Sequence, residues 1–244
     1  MEFNEFYEYC QQVFDANDYL PELDKEKADR LYRLTCHMLE VNKYMNLTAI
    51  REEKAVILKH YADSLAVSNY IPKDSKIIDI GCGAGFPTLP LAIFRPDLTI
   101  CAVDSTEKRI KYVQETADML SLKNVKAIAE RAEKLANRPD FREQFDFATA
   151  RAVAALPMLS ELCLPFVKTD GQFIAMKSQR ATDEAHEAQT AIKKCGGDIS
   201  NIIELQLSDG VCEPEARTLV IVNKINRTPK EFPREFAKIK KNPL

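Results

Sequence analysis

The sequence predicts an α/β protein: a seven-stranded, mostly parallel sheet with helices on both faces, preceded by a helical layer. Three observations carry that expectation. Apolar residues recur at helical spacing through the first seventy positions, short apolar runs alternate with helical patterns from about Ser75 onward, and the last two runs lack a helix between them. The chain has 244 residues, enough for one large domain with an appendage and a sizeable core. The boundaries expected are a helical extension over 1–70 packed on the body, the α/β domain over 71–225 and a basic tail over 226–244.

Element by element, Phe3, Phe6, Tyr7, Cys10, Val13 and Phe14 form one apolar face, and Leu31, Leu34, Met38, Val41 and Met45 a second after Pro21. A shorter helical pattern runs from about Glu52 to Val67. Strand-like runs then follow at Lys76–Ile80, Thr99–Val103, Val125–Ala129, Phe145–Thr149, Gly171–Met176, Asn201–Leu207 and Arg217–Val222. Helices are expected from Phe86, from Thr106, near Ala154–Val167 and over Ala181–Cys195, with a short segment after Ala129. Only Ser208–Ala216 separates the last two strands, so they should pair antiparallel.

Composition narrows the function. Lys and Arg number 34 against 37 Asp and Glu, a net charge of -3, which excludes a polycationic nucleic-acid binder but leaves room for local patches. Residues 217–244 hold eight basic and two acidic side chains, so a polyanion should meet that tail or a concave patch. No apolar run approaches a membrane span, and the start Met1-Glu2-Phe3-Asn4-Glu5-Phe6 lacks the features of a signal peptide, so a cytoplasmic protein is expected. The seven cysteines are scattered without C-x-x-C spacing and the three histidines stand apart from them, so reduced thiols and no metal are expected.

The chemistry concentrates in Ile77-Ile78-Asp79-Ile80-Gly81-Cys82-Gly83-Ala84-Gly85-Phe86-Pro87. A buried strand runs into three of the chain's seven glycines, and a helix follows at once. Glycine permits positive φ and close ligand approach, and amides at a helix start can hold an anion. The G-x-G-x-G spacing differs from the dinucleotide fingerprint and from a Walker A loop. Asp104 closes the second strand, where a carboxylate can accept hydrogen bonds from ribose hydroxyls.

With Asp104-Ser105 and Lys108-Arg109, this stretch resembles the class I S-adenosylmethionine (SAM) methyltransferases. More narrowly, it resembles the bacterial 16S rRNA guanine-N7 methyltransferase family, also called glucose-inhibited division protein B. Further matches are Asn46-Leu47-Thr48, His60 with Asp63-Ser64-Leu65, Leu89-Pro90-Leu91, Arg131-Ala132-Glu133, Ala150-Arg151-Ala152, Lys177 and Pro229-Lys230-Glu231-Phe232-Pro233-Arg234. Thr88 departs from the family pattern, as does the ending Glu235-Phe236-Ala237, which breaks from the usual glycine-containing basic tail.

The resemblance implies a Rossmann-like sheet, SAM as cofactor and 16S rRNA or the small ribosomal subunit as partner; the sequence leaves the oligomeric state open, with a monomer favoured. It places Gly81, Gly83, Gly85 and Phe86 around the methionine portion of SAM, Asp104 and Ser105 at the ribose, Ala132 and Glu133 at the adenine, and Arg151 at the carboxyl edge. Asn46, His60, Arg131, Lys177, Arg217 and Arg234 are the candidates for RNA contact. No catalytic residue is assigned, because guanine N7 has a lone pair at neutral pH and alignment can carry the reaction. The rival readings are a methyltransferase of a small molecule or protein, a non-catalytic RNA-binding module of the same fold, and an NAD-dependent oxidoreductase, which the glycine spacing disfavours.

Overall fold

The computed structural model describes residues 1–151, 154–178 and 181–244. Two helices form the leading layer. α1 (Phe3–Asp15) buries Phe6, Cys10, Val13 and Phe14, the face that the spacing anticipates. α2 (Lys25–Met45) starts on Asp24, whose carboxylate accepts the Lys27 N–H, a cap worth about 1 kcal/mol. It ends at Asn46, an exposed residue in the left-handed region at φ 52°. A third helical stretch joins α3 (Glu53–Val56), a π-helical segment (Ile57–Ala62) and α4 (Asp63–Leu65). π-helical turns are common at functional sites, and this one carries His60.

The body then winds through β1 (Lys76–Ile80), α5 (Thr88–Phe94), β2 (Thr99–Asp104), α6 (Glu107–Met119), β3 (Val125–Ala129), α7 (Ala132–Leu135), β4 (Phe145–Arg151), α8 (Leu156–Cys163), β5 (Val167–Lys177), α9 (Ala181–Lys194), β6 (Gly197–Leu207) and β7 (Glu215–Lys224). The strands lie in the order β3-β2-β1-β4-β5-β7-β6. All pairs are parallel except those of β7, which runs antiparallel to both β5 and β6. Alternation sends Ile77, Ile100, Ala102 and Ile174 to one face, under α1, α2, α5 and α6. Ile78, Val103, Ala148 and Phe173 pack on the other, under α8 and α9.

Two boundaries differ from expectation for local reasons. The helix after β1 starts at Thr88 rather than Phe86, because Gly81, Gly83 and Gly85 all hold positive φ and keep the chain in a turn. Strand β5 begins at Val167 rather than Gly171, its early part hidden from pattern reading by the exposed run Lys168, Thr169 and Asp170.

The last residues fold back over α8. Arg142 donates to the carbonyls of Thr228, Pro229 and Phe232 at 2.9, 3.1 and 3.0 Å. Arg234 grips the fully buried carboxylate of Glu161 with Nε and Nη2 at 2.8 and 2.6 Å. α10 (Phe236–Lys241) then packs against α8 with Ile239 fully buried. Among the described residues, no helix is long and apolar enough to cross a membrane.

Candidate functional site

Strand order reverses direction between β1 and β4, and the carboxyl ends of strands at such a switch point form a natural ligand crevice. Here that crevice consists of two cavities. One, of about 360 Å³, is lined by the glycine loop, Thr48, His60, Phe86 and Arg151. The other, of about 190 Å³, lies toward β3 and is lined by Ser105, Arg131, Ala132, Glu133 and Phe236. Gly81, Asp104 and Arg109 border both, so the two form one groove that bends around Asp104.

The three glycines do different work. Gly83, at φ +56°, has open space where a Cβ would stand, with only the Gly81 carbonyl at 4.0 Å. Gly85, at φ +87°, faces away from the groove, and a Cβ there would lie 2.5 Å from Leu89 Cδ1. Gly85 is absent from the lining of both cavities, and its missing side chain leaves room for Leu89 of α5. Among the described residues, every loop amide but that of Ala84 is already engaged. Those of Gly81 and Cys82 donate to the Val103 carbonyl, those of Gly85 and Phe86 to the Cys82 carbonyl, and that of Gly83 to Asp104. Asp79 lies beneath the loop, fully buried, accepting from Thr88 and Thr149 at 2.7 and 3.4 Å, with burial pushing its carboxyl up to about 6.

Asp104 is held ready for a ligand. Its Oδ2 accepts from Gly83 N–H at 3.1 Å and its Oδ1 from Thr106 N–H at 2.8 Å, while Arg109 stands 3.8 Å away. Each oxygen keeps a lone pair for a hydroxyl in the groove. Ser105, beside it, is exposed on the rim.

At the loop end, hydrogen bonds determine one another. Arg151 donates to the Lys59 carbonyl at 3.0 Å, to Asp63 at 2.8 Å and, through Nη2, to His60 Nδ1 at 3.2 Å. Guanidinium can only donate, so Nδ1 accepts and the His60 proton sits on Nε2. Nε2 lies 2.9 Å from Thr48 Oγ1 and therefore donates to it, as does the Ile50 N–H at 3.1 Å. The Thr48 hydroxyl proton is left to donate into the groove. Burial and the neighbouring Arg151 charge push the His60 imidazole down to about 3, so it is neutral at physiological pH. Phe86 completes this wall, stacked on His60 with centroids 4.4 Å apart and under the Arg151 guanidinium at 5.4 Å.

At the β3 end, Ala132 and Glu133 open α7, and the Glu133 side chain is buried. Arg131 lies over the ring of Phe236 at 5.2 Å.

The expected RNA-contacting cations are mostly spoken for. Lys177 Nζ pairs with Glu184 at 2.7 Å and donates to the Ala154 carbonyl at 2.8 Å. Arg217 pairs with Asp63 and Glu215, both at 3.0 Å. These groups line a third cavity of about 380 Å³ with Asp63 and Arg151, beside the loop end of the groove. Arg234, expected to contact RNA, instead anchors the C-terminal segment, since its Nε and Nη2 are both engaged by Glu161. Asn46 caps α2 in the left-handed region and shows no side-chain partner among the described residues. Ala152, the end of the Ala150-Arg151-Ala152 match, lies outside the described residues.

Pattern reading missed Thr48, Asp63 and Phe236 as site residues. Thr48 carried a signal, since it lies in the Asn46-Leu47-Thr48 match and its backbone is clamped at both ends by buried Asn42, at 2.9 and 3.0 Å. Phe236 carried none, being far in sequence from everything it meets.

Known proteins resemble the chain in sequence and in fold. A family model described as rRNA small subunit methyltransferase G matches residues 26–210. A ribosomal RNA small subunit methyltransferase G from Leuconostoc citreum is 42% identical over 240 residues, covering 97% of this chain and 98% of its own length. The protein of that name from Bacillus licheniformis is 43% identical over 209 residues, covering 85% of this chain and 86% of its own. Among solved structures, a SAM-dependent methyltransferase from Aquifex aeolicus superposes with a TM-score of 0.51 at 16% identity, covering 68% of this chain and 92% of that one. One from Methanosarcina mazei reaches 0.50 at 16% identity, covering 65% and 96%. At that identity the likeness is of fold alone.

Proposed function

We infer the reaction from one premise: the chain belongs to the rRNA small subunit methyltransferase G family. It is a SAM-dependent methyltransferase of 16S ribosomal RNA, and the acceptor we assign is N7 of a guanine. The observation that carries the cofactor site is the bent groove around a prepositioned Asp104.

The residues present fit SAM. Gly83 offers open backbone to the methionine portion, Asp104 accepts the ribose hydroxyls with Ser105 at the rim, and Ala132 and buried Glu133 meet the adenine. Bound there, SAM supplies an electrophilic methyl group on a sulfonium.

Guanine N7 needs no base, because no proton leaves before it attacks. His60 is unsuited to that role in any case, being neutral with both nitrogens engaged. The chain's contribution is alignment: Phe86, His60 and Arg151 form a stiff wall against which the acceptor base is held. Guanine presents O6 beside N7, whereas adenine presents an amine there. The Thr48 hydroxyl, donor by elimination, therefore favours guanine.

RNA approaches over the mouth beside Arg151, Lys177 and Arg217. Their carboxylate partners already neutralise much of this patch, so phosphates compete with Asp63, Glu184 and Glu215 there. Exposed Lys230, Lys238, Lys240 and Lys241 add positive charge along the C-terminal segment. We place the reaction in the cytoplasm, performed by a single chain. Transfer of labelled methyl from SAM to 16S RNA and to small-subunit particles, followed by nucleoside analysis, tests the assignment. Recovery of 7-methylguanosine supports it, and label in any other nucleoside overturns the acceptor.

A further inference from the structure

We propose that the C-terminal arm is part of the cofactor site, with Phe236 forming an aromatic wall for the purine ring and Arg131 locking that wall in place. The inference rests on the SAM reading above and adds a residue that the family match does not reach, since the matched region ends at residue 210.

Four observations converge. Phe236 lines the β3-side cavity together with Ile80, Val103, Ala132 and Leu162, the apolar surfaces a flat heterocycle requires. Its ring is half-buried although it lies near the chain terminus. Arg131, at the mouth of the same cavity, covers it at 5.2 Å. The backbone that delivers it is anchored on both sides: Arg234 on Glu161 two residues before, and Ile239, fully buried, three residues after. A mobile tail would not need a buried ion pair next to one aromatic side chain that opens onto a cavity. Glu133, buried beside it, has no hydrogen bond or ion pair to its carboxylate among the described residues, which suits an edge contact to an amino group on the same ring.

Stacking of a base on an aromatic side chain is worth roughly 1–3 kcal/mol by alanine substitution, so Phe236→Ala should weaken SAM binding about five- to 150-fold. The chain contains no tryptophan, so Phe236→Trp installs a single reporter at the proposed contact. The test is calorimetric titration of the full-length chain with SAM for wild type, Phe236→Ala, Phe236→Trp and Asp104→Ala, with tryptophan emission followed in Phe236→Trp. The expected result is weakened binding in Phe236→Ala, near-normal binding in Phe236→Trp, and emission that changes on saturation with SAM. Normal affinity in Phe236→Ala, or emission indifferent to SAM, overturns the proposal. If Asp104→Ala still loses SAM in that case, the cofactor reading stands without the arm. If Asp104→Ala also binds normally, the cofactor reading itself has failed.

Discussion

The two ends of the groove are built by opposite means. At the loop end, Arg151, His60, Asp63 and Thr48 form a chain of hydrogen bonds in which each donor determines the next acceptor, and a single charged group, Arg151, holds three partners. At the β3 end the walls are apolar side chains and one aromatic ring, carried on an arm whose anchor lies outside the cavity, at Glu161. A saturated polar network specifies one geometry and is costly to disturb, whereas an apolar wall fixes a shape and tolerates adjustment. On the proposed reading, the end that faces the methyl acceptor is therefore the rigid one, and the end that holds the purine is closed by the C-terminal arm.

Three substitutions break that comparison at its strongest points. Gly83→Val should produce the largest effect: a β-branched residue at φ +56° is a strained outlier, and its side chain enters the space assigned to SAM. Loss of SAM binding beyond about a hundredfold is expected, seen by calorimetry on a chain that remains folded. Gly85→Ala should do the reverse, losing stability through the clash with Leu89 while the folded fraction keeps its SAM affinity. If both glycine variants lose binding equally, the loop serves only the turn.

Arg234→Ala comes next. Removing one partner of a buried ion pair costs about 3–5 kcal/mol, because the other charge is left uncompensated. Glu161 is fully buried here, so a clear fall in thermal midpoint is expected. The SAM affinity of the variant at 20 °C should fall toward that of Phe236→Ala. Glu161→Gln paired with Arg234→Gln should recover stability, since neither residue then leaves a buried charge. A salt dependence of RNA binding altered by Arg234→Ala beyond its effect on stability would restore Arg234 as an RNA ligand.

Thr48→Val sharpens the loop end. The substitution keeps the shape but removes the hydroxyl that donates toward the groove and accepts from His60 Nε2 and the Ile50 N–H, so kcat/KM on ribosomal RNA should drop by at least about tenfold, since a lost hydrogen bond is worth about 0.5–1.5 kcal/mol and each donor left unpaired adds to it. SAM affinity should stay near that of wild type. An unchanged kcat/KM would remove Thr48 from substrate recognition.

These tests fall unevenly on what the sequence made legible. The strand alternation, the glycine turn and Asp104 are local signals, because each depends on neighbours within a few residues, and they appear in the structure where the pattern places them. The place of Arg234 was not legible, because its partner Glu161 lies seventy-three residues away and is brought to it by tertiary packing that spacing does not encode. The pairing of Lys177 with Glu184 and of Arg217 with Asp63 was invisible in the same way: a charge count along the chain reports cations without their partners.

His60 adds a dependence on pH to the loop end. Its imidazole is pushed down from 6.5 to about 3, so the folded chain carries a neutral ring while the unfolded chain protonates near 6.5. Above pH 6.5 both states are neutral and His60 adds no pH dependence. As pH falls below that value the unfolded state alone takes up the proton, so the His60 contribution to stability declines steadily until the folded ring also protonates near pH 3. Asp79 acts in the opposite sense: its carboxyl, raised to about 6, takes up a proton in the folded state first, so it favours folding as pH falls from about 6 to 4. The two effects partly cancel in the wild type, and His60→Gln separates them. Glutamine can still accept from Arg151 and donate to Thr48, but it cannot titrate. The stability advantage of wild type over His60→Gln should therefore shrink between pH 7 and pH 5 by on the order of 2 kcal/mol, measured by urea unfolding at each pH. Methyl transfer should behave differently. Because His60 is neutral throughout the working range, the pH profiles of kcat/KM for wild type and His60→Gln should be parallel from pH 6 to 8. A limb near pH 6.5 present in wild type and absent from His60→Gln would show that His60 titrates during turnover and would replace alignment with proton transfer at the loop end.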